Sequence, residues 1–450
     1  MFKPDSLQYL SEALATLQQG FSELPSFDSG SDTPGLRDVL NEVAVRLQDN
    51  FPYPHPFYAG QMLKPPHPVA RLAYMLALYI NPNNHALDGG RASSSMEKEA
   101  VANLARLFGY DTHLGHLCAS GTVANLEALW VARHVRPEGV VLASEQAHYT
   151  HARMCEVLKI PFRSVPVDAA GRMDMNALED VLRHESVVTV VATLGTTALG
   201  AVDPLHLILK LRERYGFRLH VDAAYGGYFM LADNLDAEAR AAFDAIPQSD
   251  SIVVDPHKHG LQPYGCGCVL FRDPAVGRYY RHDSPYTYFT SGALHLGEIS
   301  LECSRPGAAA VALWATQRLL PMERGGEFAK RLTASREAAL TLRQHLKAGG
   351  GYLAGPVPQL DIVVWIAKAR SRTDASRRAQ TVFEAAAKQH LHLALLHVPD
   401  TLAAAWWPGL KRDADTLTAL RSCLMKPEHK DWLLRITAIL ETAVQQSLGA

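Results

Sequence analysis

The chain has 450 residues, of which 48% are hydrophobic and 20% charged, which excludes a disordered protein and leaves room for two or three domains. Lys and Arg number 44 against 46 Asp and Glu, so the formal net charge of −2 makes nucleic acid an unexpected partner. Six scattered cysteines without a C-x-x-C pair, and an N-terminus without an apolar signal-like stretch, favour a reduced, cytoplasmic compartment.

The first 60 residues carry two helical patterns followed by a segment rich in proline and aromatic residues. The helical stretches are LQYLSEALATLQQGF (7–21) and LRDVLNEVAVRLQ (36–48), and we expect this N-terminal segment, 1–60, to pack across a dimer interface. The next apolar stretch, VARLAYMLALYI (69–80), contains an arginine and is too short to span a bilayer. It predicts a buried helix, and no membrane partner is expected.

From about residue 95 to 275, helical stretches alternate with short runs of apolar, β-branched residues. The predicted strands are GVVLAS (139–144), VVTVVATLG (187–195), RLHVDAA (218–224), SIVVD (251–255) and GCVLFRD (267–273). This alternation predicts a mostly parallel sheet covered by helices on both faces. A helical region split near Pro321 follows, and then a smaller α+β unit. We predict a large domain over 61–345 and a small C-terminal domain over 346–450.

Reactive side chains cluster at the predicted carboxyl ends of these strands. Asp222 follows one strand, His257 and Lys258 follow the next, and His148 follows an earlier one, while residues 120–122 (S-G-T) begin a helix. Each feature alone is more typical of a turn, a helix cap or a solvated loop. In doubly wound sheets, however, ligands bind beyond the carboxyl ends of the strands, so the combination at one edge indicates a binding site.

The combination matches the chemistry of pyridoxal 5′-phosphate (PLP). Lys258 offers the amine for a Schiff base, Asp222 an acid to face the pyridine nitrogen, and His148 a flat ring for stacking. The helix start at 120–122 offers hydroxyl and N–H donors for the phosphate. A metal site that uses His148 and His151 is disfavoured, because no H-E-x-x-H motif is present, and we predict none.

Over about residues 50–430, the chain resembles the group II PLP-dependent amino acid decarboxylases of fold type I. These enzymes belong to the aspartate aminotransferase-like superfamily. Blocks that carry the resemblance include CASGTVANLEAL, SEQAHYTHAR, HVDAAYGG and DPHKHG. The resemblance implies an α/β fold of the PLP-dependent transferase type, and a homodimer with its active site at the subunit interface. It also implies decarboxylation of an L-amino acid to its amine and CO₂, by Schiff-base exchange at Lys258 and a quinonoid intermediate. The alternatives are a decarboxylating oxidative deaminase that forms an aldehyde, or another fold-type-I carbon–carbon lyase.

The resemblance also implies roles for single residues. Lys258 would bind the cofactor covalently, Asp222 would pair with the pyridine nitrogen and His148 would stack on the ring. A loop tyrosine, Tyr288 or Tyr286, would protonate the reacting carbon. The further cofactor-binding candidates are His257, Ala224, Ser120, Gly121, Thr122, Thr193 or Thr196, and Asp255. Asp255 stands where many relatives have asparagine, and its role is open; we expect no role for His259.

The motifs do not specify the substrate. The candidates for substrate binding are Gln61, Arg91, Arg305 and Arg421. The three arginines would suit an acidic amino acid, with Arg421 resembling the C-terminal arginine that binds a substrate carboxylate in the family. Aromatic residues, which are more often core, would equally suit an aromatic substrate; they are Tyr53, Phe57, Tyr58 and Trp314.

Overall fold

A computed structural model describes residues 6–26, 33–281 and 294–449 of the chain. Its helices are α1 (Leu7–Gln19), α2 (Leu36–Leu47), α3 (Pro68–Leu78), α4 (Arg91–Leu107), α5 (Gly121–Val135), α6 (Thr150–Leu158), α7 (Met175–His184), α8 (Leu205–Tyr215), α9 (Ala237–Asp244), α10 (Gly307–Leu319), α11 (Glu327–Ala348), α12 (Arg372–Lys388), α13 (Asp400–Trp406) and α14 (His429–Gly449). Its strands are β1 (Leu114–Cys118), β2 (Val140–Ser144), β3 (Phe162–Val165), β4 (Val187–Thr193), β5 (Arg218–Asp222), β6 (Ser251–Val254), β7 (Gly267–Phe271), β8 (Tyr352–Ala354), β9 (Ile362–Ala367), β10 (Ala394–Pro399) and β11 (Thr416–Cys423).

The larger sheet has seven strands in the order β1-β7-β6-β5-β4-β2-β3. The pairs from β6 through β5, β4 and β2 to β3 are parallel, and β7 runs antiparallel to β6 and β1. Because β7 reverses direction between them, β1 and β6 point the same way, and the carboxyl ends of β1, β2, β4, β5 and β6 share one edge. The mostly parallel α/β fold predicted from the sequence is confirmed.

Burial along the strands explains which of them the sequence revealed. β4 reads VVTVVAT and is buried at every residue, as expected for a central strand covered on both faces. β1 and β3 were missed because LGHLC and FRSV break the apolar run with glycine, histidine, arginine and serine. β3 lies at the sheet edge, where half of its residues are exposed.

The C-terminal region forms a second, antiparallel sheet with the order β10-β11-β9-β8. Trp365 on β9 lies at the centre of its core, which α12 and α14 cover. The last turns of α11 also pack on this core through Leu342 and Leu346. The small α+β unit is therefore present, and the boundaries at 60 and 345 stay predictions.

The N-terminal helices and α3 leave an apolar surface exposed. The prediction of a buried helix at 69–80 is wrong, because Ala70 and Ala77 are buried whereas Met75 is 41% and Leu78 53% exposed. α1 and α2 contain no buried residue. The apolar pattern thus includes a narrow strip that faces the core and a wider one that does not. None of the described helices combines the length and apolarity needed to cross a bilayer.

Candidate active site

A cavity of about 260 Å³ lies at the carboxyl edge of the large sheet. Loops after β1, β2, β4, β5 and β6 form its wall, as the shared strand direction requires. The cofactor-binding candidates that line it are Ser120, Gly121, Thr122, His148, Thr193, Asp222, Ala224, Asp255, His257 and Lys258. The sequence analysis missed six further lining residues, which are Asn125, Tyr149, Thr150, Gly195, Thr197 and Tyr225.

Asp222 is the last residue of β5 and is buried in the cavity floor. Its Oδ2 lies 2.8 Å from His151 Nε2, and its Oδ1 accepts a hydrogen bond of 3.1 Å from the N–H of Ala224. Burial acts to raise the pKa of Asp222, but the His151 hydrogen bond and the charge of Lys258 hold that pKa below its ordinary value. The carboxylate is therefore ionised at neutral pH, as a partner for a pyridinium nitrogen must be.

Lys258 lies in the tight turn that follows β6. Its Nζ lies 3.0 Å from Asp255 Oδ2, and the lysine side chain is 22% exposed toward the cavity. Asp255 Oδ1 is buried and accepts no hydrogen bond from the described residues. A Cβ atom at Gly121 would lie 2.7 Å from Asp255 Oδ2, so glycine leaves the room that this carboxylate fills. The geometry therefore gives Asp255 a partner, the ammonium of Lys258.

The start of α5 forms the candidate phosphate cradle. Ser120 caps the helix by accepting a hydrogen bond of 3.4 Å from the N–H of Val123, and Thr122 Oγ1 lies 3.2 Å from Thr150 Oγ1. The exposed N–H groups and the positive end of the helix dipole favour an anion at this position. His257, which also lines the cavity, is held by a contact of 2.7 Å between its Nδ1 and the carbonyl of Cys266, and its Nε2 lies 3.5 Å from Asp255 Oδ2.

The hydroxyl of Thr193 is, after Asp255 Oδ1, a second buried polar group of the cavity without a hydrogen-bond partner in the described part of the chain. Thr193 Oγ1, at the end of β4, is buried and makes no hydrogen bond within the described residues. Thr196, the alternative from the sequence, is not in the cavity wall, and its Oγ1 accepts a hydrogen bond from the N–H of Ala201. An orphaned hydroxyl, an ionised carboxylate, an amine and a helix start around one cavity fit the functional groups of PLP, so the residues present suit that cofactor.

His148 is half-buried at the cavity mouth. Its Nδ1 accepts a hydrogen bond of 3.3 Å from the N–H of Thr150, and its ring lies 4.3 Å from that of Tyr149. Burial lowers the pKa of His148 below its ordinary value despite the nearby Asp222 carboxylate. The ring is therefore neutral at pH 7, which suits stacking on an aromatic cofactor.

The candidates for substrate binding lie in different places. Arg421 is buried near Tyr58 and Tyr225, and its Nη2 donates a hydrogen bond of 3.3 Å to Gln61 Oε1. Arg305 is buried outside the cavity wall, where its Nη1 pairs with Glu97 Oε1 at 2.9 Å. This geometry does not support the prediction that Arg305 contacts substrate, because its guanidinium is already paired.

Arg91 is not in the cavity wall either. Arg91 is the first residue of α4 and is exposed. It lines an apolar groove that Leu17 of α1 and Leu76 of α3 also line. Tyr286 and Tyr288, the candidate proton donors, lie outside the described residues.

His259, for which no role was expected, belongs to a buried polar network behind the cavity wall. Its Nε2 lies 3.2 Å from Asp361 Oδ2, and its Nδ1 lies 3.3 Å from Lys64 Nζ. The hydroxyl of Tyr225 donates a hydrogen bond of 2.6 Å to Asp361 Oδ1. The network therefore joins the cavity wall to the small domain, through Asp361, and to the proline-rich segment 51–68, through Lys64.

His151 is the other histidine whose place the sequence did not indicate. It was weighed as a metal ligand with His148, but it faces Asp222 instead. Across the described ranges, no group of three or more His, Cys, Asp or Glu side chains is arranged to hold a metal ion.

Comparison with known proteins places these features in a family context. The family model described as the pyridoxal-dependent decarboxylase conserved domain matches residues 67–350. The L-tyrosine decarboxylase of Enterococcus faecium is 30% identical over 81% of this chain and 77% of its own length. A probable L-tyrosine/L-aspartate decarboxylase of Methanoculleus marisnigri is 33% identical over 64% of this chain and 75% of its own. The solved structure of Oryza sativa TDC with PLP and tryptamine superposes with a TM-score of 0.78 at 17% identity, covering 99% of both chains.

The polar network behind the cavity predicts a stability effect. Asp361→Asn removes a buried charge from between His259 and Tyr225, so we expect the free energy of unfolding to fall by about 3 kcal/mol. Asp374→Asn, in a surface ion pair with Arg377 and Arg378 of the same lobe, should cost less than about 1 kcal/mol. Urea unfolding followed by tryptophan fluorescence compares the two variants. Equal midpoints would mean that the network does not hold the domains together.

Proposed function

Because the chain belongs to the pyridoxal-dependent decarboxylase family, we propose that Lys258, Asp222 and His148 are the residues with which it acts. The chain is a PLP-dependent carboxy-lyase that acts on an L-amino acid. The observation that supports these residue roles is one cavity of about 260 Å³ that holds the Lys258 amine, the Asp222 carboxylate and the His148 ring.

Each proposed role follows from the position of the side chain. Bound PLP supplies an electron sink for the electron pair that CO₂ leaves behind on the α-carbon. Lys258 would hold the cofactor covalently, and the substrate amine would take its place. Asp222 holds a proton at the pyridine nitrogen through its negative charge. His148 covers one face of the ring and helps to exclude water from the reacting carbon.

The phosphate and the phenolic oxygen of the cofactor have their own candidate partners. We assign the phosphate to the start of α5, at residues 120–122, and to His257, which lines the same cavity. We assign the phenolic oxygen to Thr193, because its hydroxyl is buried in the cavity wall without a partner among the described residues. We assign Asp255 to Lys258, whose Nζ lies 3.0 Å from Asp255 Oδ2.

Reprotonation of the α-carbon decides which product forms. We assign it to Tyr288 or Tyr286, which lie outside the described residues. Without this proton donor the reacting carbon would be open to O₂, and O₂ and water together would give an aldehyde, ammonia and hydrogen peroxide in place of the amine. The ratio of amine to aldehyde therefore reports on this proton donor.

For the substrate we propose an aromatic L-amino acid, with L-tyrosine as the first candidate. Tyr58, near Arg421, belongs to a cluster of aromatic rings, with a centroid distance of 4.9 Å to Tyr53 and 6.1 Å to Phe51. Arg421 would bind the α-carboxylate, since no carboxylate of the described residues lies within ion-pair distance of it. L-Aspartate is the second candidate, because the same guanidinium would suit a side-chain carboxylate. The names of the relatives include both substrates.

We further propose a cytoplasmic homodimer with the active site near the subunit interface. The six cysteines are free thiols, which fits a reducing compartment. A second copy of the chain would bury the exposed apolar side chains of α1, α2 and α3.

Loss of the Asp222 charge should remove turnover and leave the fold intact. We expect Asp222→Ala to lower amine formation by at least about 10³-fold, since it removes the charge that stabilises the developing electron density. Glu127→Gln, at a buried carboxylate that contacts His116 outside the cavity, should retain most of the activity. Amine, CO₂, ammonia and peroxide are measured together with added PLP. Near-normal amine formation by Asp222→Ala would refute the role of this residue, and a majority of aldehyde from the native chain would favour the oxidative reaction.

The substrate assignment predicts an effect at Arg421. With L-tyrosine, Arg421→Gln should raise KM about tenfold, because a charge-assisted contact to the carboxylate is lost. Arg435→Gln, at an exposed arginine on α14 that stacks over Trp432, is the control and should leave KM unchanged. A native preference for L-aspartate, lost in Arg421→Gln, would instead place the side-chain carboxylate at Arg421.

The proposed interface predicts that α2 controls assembly. Val39 and Leu40 are 58% and 59% exposed, so Val39→Glu and Leu40→Glu should shift the chain from dimer to monomer by placing charge in the interface. Leu434→Glu changes an exposed leucine on α14 and should leave the dimer intact. Sedimentation at several protein concentrations measures the molar mass. A native chain that sediments as a monomer would contradict the proposal.

A further inference from the structure

We propose that His151 is a positioning residue that holds the Asp222 carboxylate in place, and ionised, for the pyridine nitrogen of the cofactor. This inference rests on the role of Asp222 proposed above. It concerns a histidine that contacts neither the cavity nor any metal-binding group in the described part of the chain.

The geometry joins the two side chains tightly. His151 lies in the first turn of α6, three residues after His148, and is completely buried. Its Nε2 lies 2.8 Å from Asp222 Oδ2, while Asp222 Oδ1 accepts the N–H of Ala224. The two contacts engage both carboxylate oxygens from the protein side. The side of the Asp222 carboxylate that faces the cavity stays open to a third hydrogen-bond donor. A protonated pyridine nitrogen is such a donor.

The nitrogen of His151 that faces Asp222 acts as the donor. A carboxylate oxygen can only accept a hydrogen bond, so the 2.8 Å contact with Asp222 Oδ2 requires a proton on Nε2. Nδ1 is buried and has no hydrogen-bond partner within the described residues. The Nε2–H group is therefore the part of His151 that holds the carboxylate.

His220, a buried histidine near His151, does not donate a hydrogen bond to Asp222. His220 lies two residues before Asp222 on β5, and its ring centroid is 6.4 Å from that of His151. Its two nitrogens are engaged by Asn125 Oδ1 at 2.8 Å and Ser251 Oγ at 2.9 Å. Of these two histidines, His151 is therefore the one that donates a hydrogen bond to the Asp222 side chain.

Removal of the His151 donor has a chemical consequence that differs from a loss of packing. Burial favours the protonated, neutral form of Asp222, and the His151 hydrogen bond opposes this tendency. A neutral carboxyl group stabilises a pyridinium less well than a carboxylate. The protonation state of the pyridine nitrogen should therefore change when His151 loses its Nε2–H group, even in a protein that remains folded.

Two variants of His151 separate the hydrogen bond from the packing. His151→Phe keeps the size of the ring and removes the donor, whereas His151→Gln keeps an N–H donor at a similar distance from the backbone. The matched control is His116→Phe, because His116 also pairs with a buried carboxylate, Glu127, at 2.9 Å but outside the cavity wall. If His151→Phe does not fold, His151→Asn replaces it, since the shorter side chain does not reach Asp222 Oδ2.

The test measures PLP labelled with ¹⁵N in the pyridine ring after it is added to the cofactor-free chain. We expect the native chain, His151→Gln and His116→Phe to show a protonated ring nitrogen by NMR and similar dissociation constants for PLP. His151→Phe should shift the resonance toward the unprotonated value and weaken PLP binding roughly tenfold. An unchanged resonance and affinity in His151→Phe, or equal changes in His116→Phe, would overturn the inference.

The outcome in the native chain separates this inference from the proposed function. An unprotonated ring nitrogen in the native chain would contradict the role of Asp222 itself. A protonated nitrogen in the native chain that persists in both His151→Phe and His151→Asn would contradict the role of His151 alone.

Discussion

The site depends on one constraint, which is that a carboxylate must stay ionised inside the protein. Burial disfavours the charged form of Asp222, and the described structure opposes this with the Ala224 N–H, the His151 ring and the ammonium of Lys258. The site also contains Asp255, a second buried carboxylate, beside Lys258. The cavity wall thus contains two carboxylates and one lysine, and the Asp222 end favours a cationic ligand group.

Topology brings these charges together from distant parts of the chain. The start of α5 joins the other groups because β1 and β6 flank β7 on opposite sides and both run antiparallel to it. Behind this edge, the Tyr225, Asp361, His259 and Lys64 network ties the cavity wall to the small domain, where Arg421 lies. A change in the relative position of the domains would therefore move the proposed carboxylate-binding arginine toward or away from the reacting groups.

The sequence predicted the parts of the structure that depend on local patterns. The β-branched runs revealed β4 and β6, and the acid and lysine that follow β5 and β6 indicated the cofactor. The sequence could not reveal β1, whose LGHLC is stabilised by pairing with β7, or the pairing of His151 with Asp222 across 71 residues. The sequence also could not show that Arg305 and His259 are buried in polar pairs. A charged residue that is paired and one that is free look identical in a sequence, and only their burial and contacts in the fold distinguish them.

The proposed function depends on Lys258 as the lysine that binds the cofactor, although two other lysines are more reactive by their pKa values alone. Burial lowers the pKa of Lys64 to about 8 and that of Lys426 to about 7, so both are more readily deprotonated than an ordinary lysine, but neither lines the cavity. Borohydride reduction of the PLP-loaded chain, followed by peptide mass spectrometry, fixes the cofactor where it is bound. We expect a phosphopyridoxyl group on Lys258. Its presence on Lys64 or Lys426 instead, or the absence of any labelled lysine, would contradict the role of Lys258.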